Sequence, residues 1–377
     1  MSQYKKYAVT GCVAMSLALG LSATCAQAAC ATLDAPPTAM VPAGDLLRAG
    51  HLGREIGDTQ PLIHFYSDLI GFELVGARTA PRPFFIAKGL QVFAELGEDD
   101  DVYKSSSRVA LLPIPGTAAT AGAPEMTIEA IEIKGVKSAP YHPALNDPGA
   151  SYLKVTVRDL DKTLGLLKGE WAPIITEGGA PVELSGWPGI SGSIRAVMLK
   201  DTDGYPVELM QVTPAPASTA PADAKVLGAR AVVVVDNLEA SCKFYQDLAG
   251  PELKFWVSPL MGGPADARLT NTPGQFRVAQ AMVPGSPVVL ELIEYQNHNH
   301  QFKRGFIQDP GTAHFLFMVK DTDTIVARVH AMKAHTLSRA NDATFISPTV
   351  RSMFVPDPQG FWLEFMDRDV KRDPTAK

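Results

Sequence analysis

Metal ligands, nucleophiles and paired acids and bases are what a protein needs to act on a small molecule. This chain of 377 residues offers 8 histidines, 4 cysteines and 40 aspartates and glutamates. The cysteines show no zinc-knuckle spacing. Cys12 and Cys25 lie near the start, Cys30 follows closely, and Cys242 stands alone in a helical segment. Two cysteines placed like Cys30 and Cys242 do not define a disulfide. His298-Asn299-His300 is an HxH pair, but it follows a strand in a polar stretch and reads as surface loop. His64 sits on a helix beside Phe65 and reads as packing or surface. Asp99-Asp100-Asp101 lacks the spaced oxygen ligands of a calcium loop and reads as a solvated turn. The remaining histidines and carboxylates are scattered through apolar runs, where imidazole and carboxylate together would suit a borderline divalent ion. No local motif groups them, so their use depends on the elements that carry them.

Those elements repeat. Residues 51–71 (HLGREIGDTQPLIHFYSDLIG) match 230–250 (RAVVVVDNLEASCKFYQDLAG), each an apolar stretch, then Asp58 or Asp236 near a helix start, then Phe-Tyr and a closing glycine. The segment beginning at Arg108 (RVALLPIPG) matches the one at Arg277 (RVAQAMVPG), and TIEAIEI (127–133) matches VLELIEY (289–295). Alternation and branched residues make these strands. DPGASYLKVTVRD (147–159) matches DPGTAHFLFMVKD (309–321), each leading from strand to helix, and DTDGYPVELM (201–210) matches DPQGFWLEFM (357–366). Between the halves, residues 213–225 are rich in proline and alanine and read as an exposed, semi-rigid linker. The expected organisation is an N-terminal extension at 29–46, domains at 47–212 and 226–370, and a tail at 371–377. Each domain holds two modules. Strands outnumber helices, which predicts an α+β fold of curved, mostly antiparallel sheets with helices on one face.

Composition narrows the partners. At 46% apolar and 20% charged, with a formal charge of -6, the chain has neither the polarity of a disordered protein nor the basic excess of a nucleic-acid binder. Lys5 and Lys6 precede an apolar run from Ala8 to Leu21 that is too short to span a bilayer, and Ala26-Gln27-Ala28 suits a signal peptidase. Residues 1–28 are therefore expected to be a Sec-type signal peptide, giving a periplasmic or secreted protein. A lipoprotein anchored at Cys30 is a minor alternative, because Gln27 is a poor residue three positions before it.

With its HFYSDLIGFELVG segment (64–76), its KFYQDLAGPEL segment (243–253) and two final strands carrying Glu208 and Glu364, the chain resembles the vicinal-oxygen-chelate superfamily. That superfamily includes glyoxalase I, methylmalonyl-CoA epimerase, extradiol dioxygenases and bleomycin-resistance proteins. The resemblance spans nearly all of 47–370 and implies four βαβββ modules forming two such domains. It also implies one inward ligand position on each of two strands per module. These positions are His51 and Glu129, then Tyr152 and Glu208, then Arg230 and Glu291, then His314 and Glu364. Arginine does not deprotonate to bind a metal. Pairing the first module with the fourth gives His51, Glu129, His314 and Glu364, two histidines and two glutamates. The leftover set, Tyr152, Glu208, Arg230 and Glu291, is then a degenerate site in which Arg230 replaces a cation. Glu132 and Glu294 stand three residues from Glu129 and Glu291, and only one of each pair can face inward. The family register favours Glu129.

The function implied is a metal-dependent isomerase or lyase, holding one divalent ion that could be zinc, nickel, manganese or iron. It would act on an exogenous small molecule with vicinal oxygens through an enolate, with Glu364 or Glu129 doubling as proton shuttle. One alternative is a non-haem iron(II) dioxygenase, because His51, His314 and Glu364 alone would make a facial triad. Another is a non-enzymatic binding protein. The expected partner is a small molecule, with no nucleic acid and no membrane span, and the chain is expected to be a monomer or homodimer.

Overall fold

The structure is a computed structural model and describes residues 33–75, 82–83, 106–296, 305–338, 340–347 and 349–368. Residues 1–28, expected from the sequence to be a signal peptide, lie outside the described residues, as do Cys30, Asp99-Asp100-Asp101 and His298-Asn299-His300.

An acid or amide ahead of an apolar helix opens each of four repeats. Asp58, Asp159, Asn237 and Asp321 have extended backbones, and their side chains accept from the amides of Gln60, Lys162, Ala240 and Asp323. Such caps satisfy donors that the first helical turn leaves unpaired. In the third repeat the cap is Asn237, one residue beyond the Asp236 that the sequence suggested.

The first repeat runs β1 (Leu46–Ile56), α1 (Thr59–Ile63, widening into a π-helical segment over His64–Ile70), β2 (Arg82–Pro83), β3 (Ser106–Pro113) and β4 (Thr127–Lys134). The second comprises β5 (Ser151–Val157), α2 (Leu160–Leu167), β6 (Val182–Leu184), β7 (Ser193–Lys200) and β8 (Pro206–Thr213). The third comprises β9 (Val226–Val234), α3 (Leu238–Ala249), β10 (Trp256–Val257), an added helix α4 (Pro264–Thr270), β11 (Phe276–Met282) and β12 (Val289–Tyr295). The fourth comprises β13 (Ala313–Val319), α5 (Thr322–Met332), β14 (Thr344–Ser347), β15 (Val350–Pro356) and β16 (Trp362–Arg368).

The strands form two eight-stranded mixed sheets. One has the order β14-β15-β16-β13-β1-β4-β3-β2, and the other β10-β11-β12-β9-β5-β8-β7-β6. The first and fourth repeats therefore share one sheet, joined by antiparallel pairing of β1 with β13, and the second and third share the other, joined by β5 with β9. Each half of the chain contributes one repeat to each sheet. The Phe-Tyr motif ties the sheets together. The Tyr66 hydroxyl donates to Asp201 Oδ2 at 3.0 Å, and the Tyr245 hydroxyl donates to Asp357 Oδ2 at 3.1 Å, so each helix reaches the turn of the following repeat.

A second rule fixes which way the last strands face. Glu132 accepts from the Thr59 amide and hydroxyl, Gln211 from the Leu160 amide, Glu294 from the Leu238 amide, and Asp367 from the Thr322 amide and hydroxyl. All four contacts secure a helix start on the helix-covered face. Residues three apart on a strand point to opposite faces. Glu129, Glu208, Glu291 and Glu364 are thereby turned to the concave face, which answers the choice between Glu129 and Glu132.

The two concave faces differ. In the second sheet the concavity is filled by Tyr152, Trp187, Phe276, Tyr295 and many aliphatic side chains, with Leu269 of α4 among them. In the first, among the described residues, the apolar cluster on that side consists of Leu316, Met318 and Met366.

Candidate metal centre

His51 lies on β1 and His314 on its antiparallel neighbour β13, where Gly53 stands opposite His314. Gly53 is needed for close approach, since a Cβ there would lie 1.9 Å from Cε1 and 2.0 Å from Nε2 of His314. Beyond β1, parallel β4 places Glu129 beside Gly53. Beyond β13, parallel β16 supplies Glu364. Four side chains from two distant repeats thus meet on one concave face.

Their ligand atoms converge. His51 Nε2 lies 3.0 Å from His314 Nε2, 2.8 Å from Glu364 Oε2 and 3.1 Å from Glu129 Oε2, and His314 Nε2 is 3.4 Å from Glu364 Oε2. His51, Glu129 and His314 form a group able to hold a metal ion. Adjacent ligands on an ion with bonds of about 2.1 Å stand about 3 Å apart. Two imidazole nitrogens facing each other and sharing one carboxylate oxygen call for a positive centre among them. The donor set therefore fits a divalent ion.

The four residues are held differently. The side chains of His314, Glu364 and His51 are 2%, 4% and 9% exposed, whereas that of Glu129 is 25% exposed. Ser352 of β15 donates to Glu364 Oε1, and the Phe354 ring meets His314 edge-on with centroids 5.1 Å apart. Burial alone would raise the Glu364 pKa, but hydrogen bonds from His314 and His51 hold it far below the usual carboxylate range. Burial pulls the His51 imidazole down, yet the Glu129 and Glu364 carboxylates outweigh it and raise its pKa. Glu364 is thus an anchored anion, and Glu129 the more accessible one.

The leftover set lies on the second concave face. Arg230 Nη1 is 2.8 Å from Glu291 Oε1. A second cation was missed from the sequence. Lys154 Nζ, on β5, lies 2.9 Å from Glu291 and 3.8 Å from Glu208, and 3.4 Å from the centroid of the Trp187 ring. Lys154, not Arg230 alone, therefore stands between the two carboxylates. Tyr152 is buried with its ring 5.8 Å from the same ammonium. Trp187 Nε1 and Gln280 Nε2 also donate to Glu291 Oε1. Burial would raise the Glu291 pKa, but Lys154 and Arg230 bring it down to about 2. Glu208 is shifted upward, chiefly by burial. The signal for Lys154 was available: Lys154 is the one charged residue of the strand SYLKVTV, and a lysine in such a strand is rarely buried unless paired.

Elsewhere, His64 is surface-exposed and pairs with Asp68 at 2.8 Å, and Cys242 is buried in α3. No helix among the described residues is long and apolar enough to cross a membrane.

Residues 229–365 match the model of the Glyoxalase/Bleomycin resistance protein/Dioxygenase superfamily, and the chain carries a domain of that superfamily. The fold is similar to that of glyoxalase I from Zea mays, with a TM-score of 0.54, 18% identity, and coverage of 85% of this chain and 92% of that one. At that identity the likeness is one of fold. A mutant of 4-hydroxymandelate synthase from Streptomyces coelicolor aligns at 14% identity over 88% of this chain and 95% of that one, but its TM-score of 0.27 is too low to weigh. No curated protein sequence matches the chain.

Proposed function

We propose that this protein is a metal-dependent isomerase or lyase acting on a small molecule with adjacent oxygen atoms. The ion would be held by His51, Glu129, His314 and Glu364. The observation that carries this reading is the convergence of all four on one point, with Glu129 the accessible member. A bound divalent ion would supply Lewis-acid polarisation of two neighbouring substrate oxygens. Glu364, buried and fixed by Ser352, is suited to permanent ligation. Glu129 is suited to take a proton from the carbon beside a carbonyl and return it to the adjacent carbon. The electron pair of the broken C–H bond moves to the carbonyl oxygen and back, so no oxidant is required. Glu129 facing inward also speaks against the iron(II) dioxygenase alternative, which needs that position open. We propose further that the protein works outside the cytoplasm, on the strength of Lys5-Lys6, the run Ala8 to Leu21 and Ala26-Gln27-Ala28.

The test is metal analysis of untagged protein together with solvent deuterium exchange into hydroxyacetone. One equivalent of divalent metal is expected in the wild type, with near-complete loss in His51→Ala and in His314→Ala. Deuterium should enter the carbon beside the carbonyl and fail to do so in Glu129→Gln. Metal retained in full by either histidine variant removes the shared site. Oxygen uptake with a catechol, without deuterium exchange, would move the function to the dioxygenase class.

A further inference from the structure

The concave face of the first sheet holds one more acid. Glu55 lies on β1 four residues after His51, and the alternation that turns Gly53 toward His314 turns Glu55 the same way. It is 3% exposed, and its Oε2 has no hydrogen-bond partner among the described residues. Its parallel neighbour on β4 is Ile131, two residues beyond Glu129, and Val109 of β3 pairs with Ile131 in turn. Val109, Ile131 and Ile133 are half-buried and Leu111 is exposed, so an aliphatic wall runs from Glu129 past Glu55. Two residues of strand place the Glu55 row about 7 Å from the Glu129 row.

Among the described residues, no cation neutralises this carboxyl. The charged groups that act on it are Glu129 and Arg54, and the Arg54 guanidinium is committed on the opposite face, 2.7 Å from Asp201 and 3.5 Å from the centroid of the Tyr205 ring. Burial and the Glu129 charge raise its pKa well above the ordinary value. A buried acid without a cation is expensive to maintain, and a ligand that brings a positive charge or a strong donor removes that cost. A carboxylate-bearing ligand would instead meet two acids.

We infer that Glu55 is a substrate-recognition residue, and that the site takes a small molecule whose adjacent oxygens face the His51, Glu129, His314 and Glu364 cluster while an amine reaches Glu55 along the aliphatic wall. This deepens the metal-site reading and rests on it. Glu55 is a positioning group for the far end of the substrate. Its place on the wall, one strand-row pair from Glu129, sets the length of the arm that joins amine to oxygens.

Three catechols that differ in one substituent provide the test: dopamine, methylcatechol and dihydroxyphenylacetate. Each is titrated under nitrogen into full-length, manganese-loaded protein and followed by calorimetry. In the wild type, dopamine should bind at least about tenfold tighter than dihydroxyphenylacetate, with methylcatechol between them. In Glu55→Gln the advantage of dopamine over methylcatechol should fall below about twofold while methylcatechol affinity is unchanged. That unchanged affinity also shows that the variant is folded and metal-loaded. Equal wild-type affinities for all three, or a dopamine preference that survives Glu55→Gln, overturns the assignment of Glu55 and leaves the metal site standing. No binding of any catechol to the wild type, or binding that persists in His51→Ala, overturns the chelating site and this assignment with it.

Discussion

Lys154→Met removes the internal cation of the second sheet while keeping an unbranched side chain to pack against Trp187. Lys154 is 1% exposed, and its ammonium lies 2.9 Å from Glu291 and 3.8 Å from Glu208. Breaking one partner of a buried ion pair costs roughly 3–5 kcal/mol, because the other charge is left uncompensated. Here the lower end applies. Glu291 keeps the Arg230 ion pair at 2.8 Å and hydrogen bonds from Trp187 and Gln280, so Glu208 is the carboxylate left stranded. A loss of about 3 kcal/mol is therefore expected in urea unfolding. Adding Glu208→Gln should recover at least about 1 kcal/mol of it, a coupling that a double-mutant cycle measures directly. Manganese stoichiometry should stay at the wild-type value in both variants, because the metal cluster lies on the other sheet. A loss below about 1 kcal/mol for Lys154→Met, or strictly additive effects in the cycle, would refute the view that Lys154 takes the place of a metal ion.

Gly53→Ala should weaken metal binding at least about tenfold in a chelator competition, since the new Cβ would lie 1.9 Å from the His314 ring. The buried His314 ring must also shift to admit the methyl group, so the variant should lose roughly 1–3 kcal/mol in urea unfolding; wild-type metal affinity in this variant would show that His314 does not need that space. Asp357 gives a pH signature. Burial raises its pKa from 3.8 to about 7 despite hydrogen bonds from the amides of Phe361 and Gln359 and the Tyr245 hydroxyl. Between those values the folded state holds a proton that the unfolded state has lost, so stability is greatest below 3.8 and falls as pH rises toward about 7. The full fall is at most about 4 kcal/mol, and Asp357→Asn should flatten the unfolding profile across that window; an unchanged slope would place the buried charge elsewhere.

Repetition in the sequence is a statement about local structure, and it was legible because each repeat must solve the same local problems. A capping residue starts the first helix of every repeat, a carboxylate or amide three residues past the inward glutamate secures that start, and in the first and third repeats the Phe-Tyr pair sends a hydroxyl to the next turn. The incompleteness of each half, with one histidine and two glutamates apiece, also pointed to pairing of the first repeat with the fourth. The sequence did not contain the distances. His51 and Glu364 are 313 positions apart yet 2.8 Å from one another, a closeness set by the antiparallel register of β1 on β13 and the clearance at Gly53. Nor could alternation alone choose Glu129 over Glu132, because either phase of a half-buried strand satisfies the pattern; the hydrogen bond that Glu132 accepts from the Thr59 amide makes the choice. Lys154 and Glu55 carry the same lesson in opposite senses. One buried charge found its partners on neighbouring strands and closed a site. The other found none among the described residues and points into the site that remains. Local sequence determines which residues share one face of a strand, but which face is concave, and whether a charge there is neutralised, depend on side chains that only tertiary pairing brings within a few ångströms.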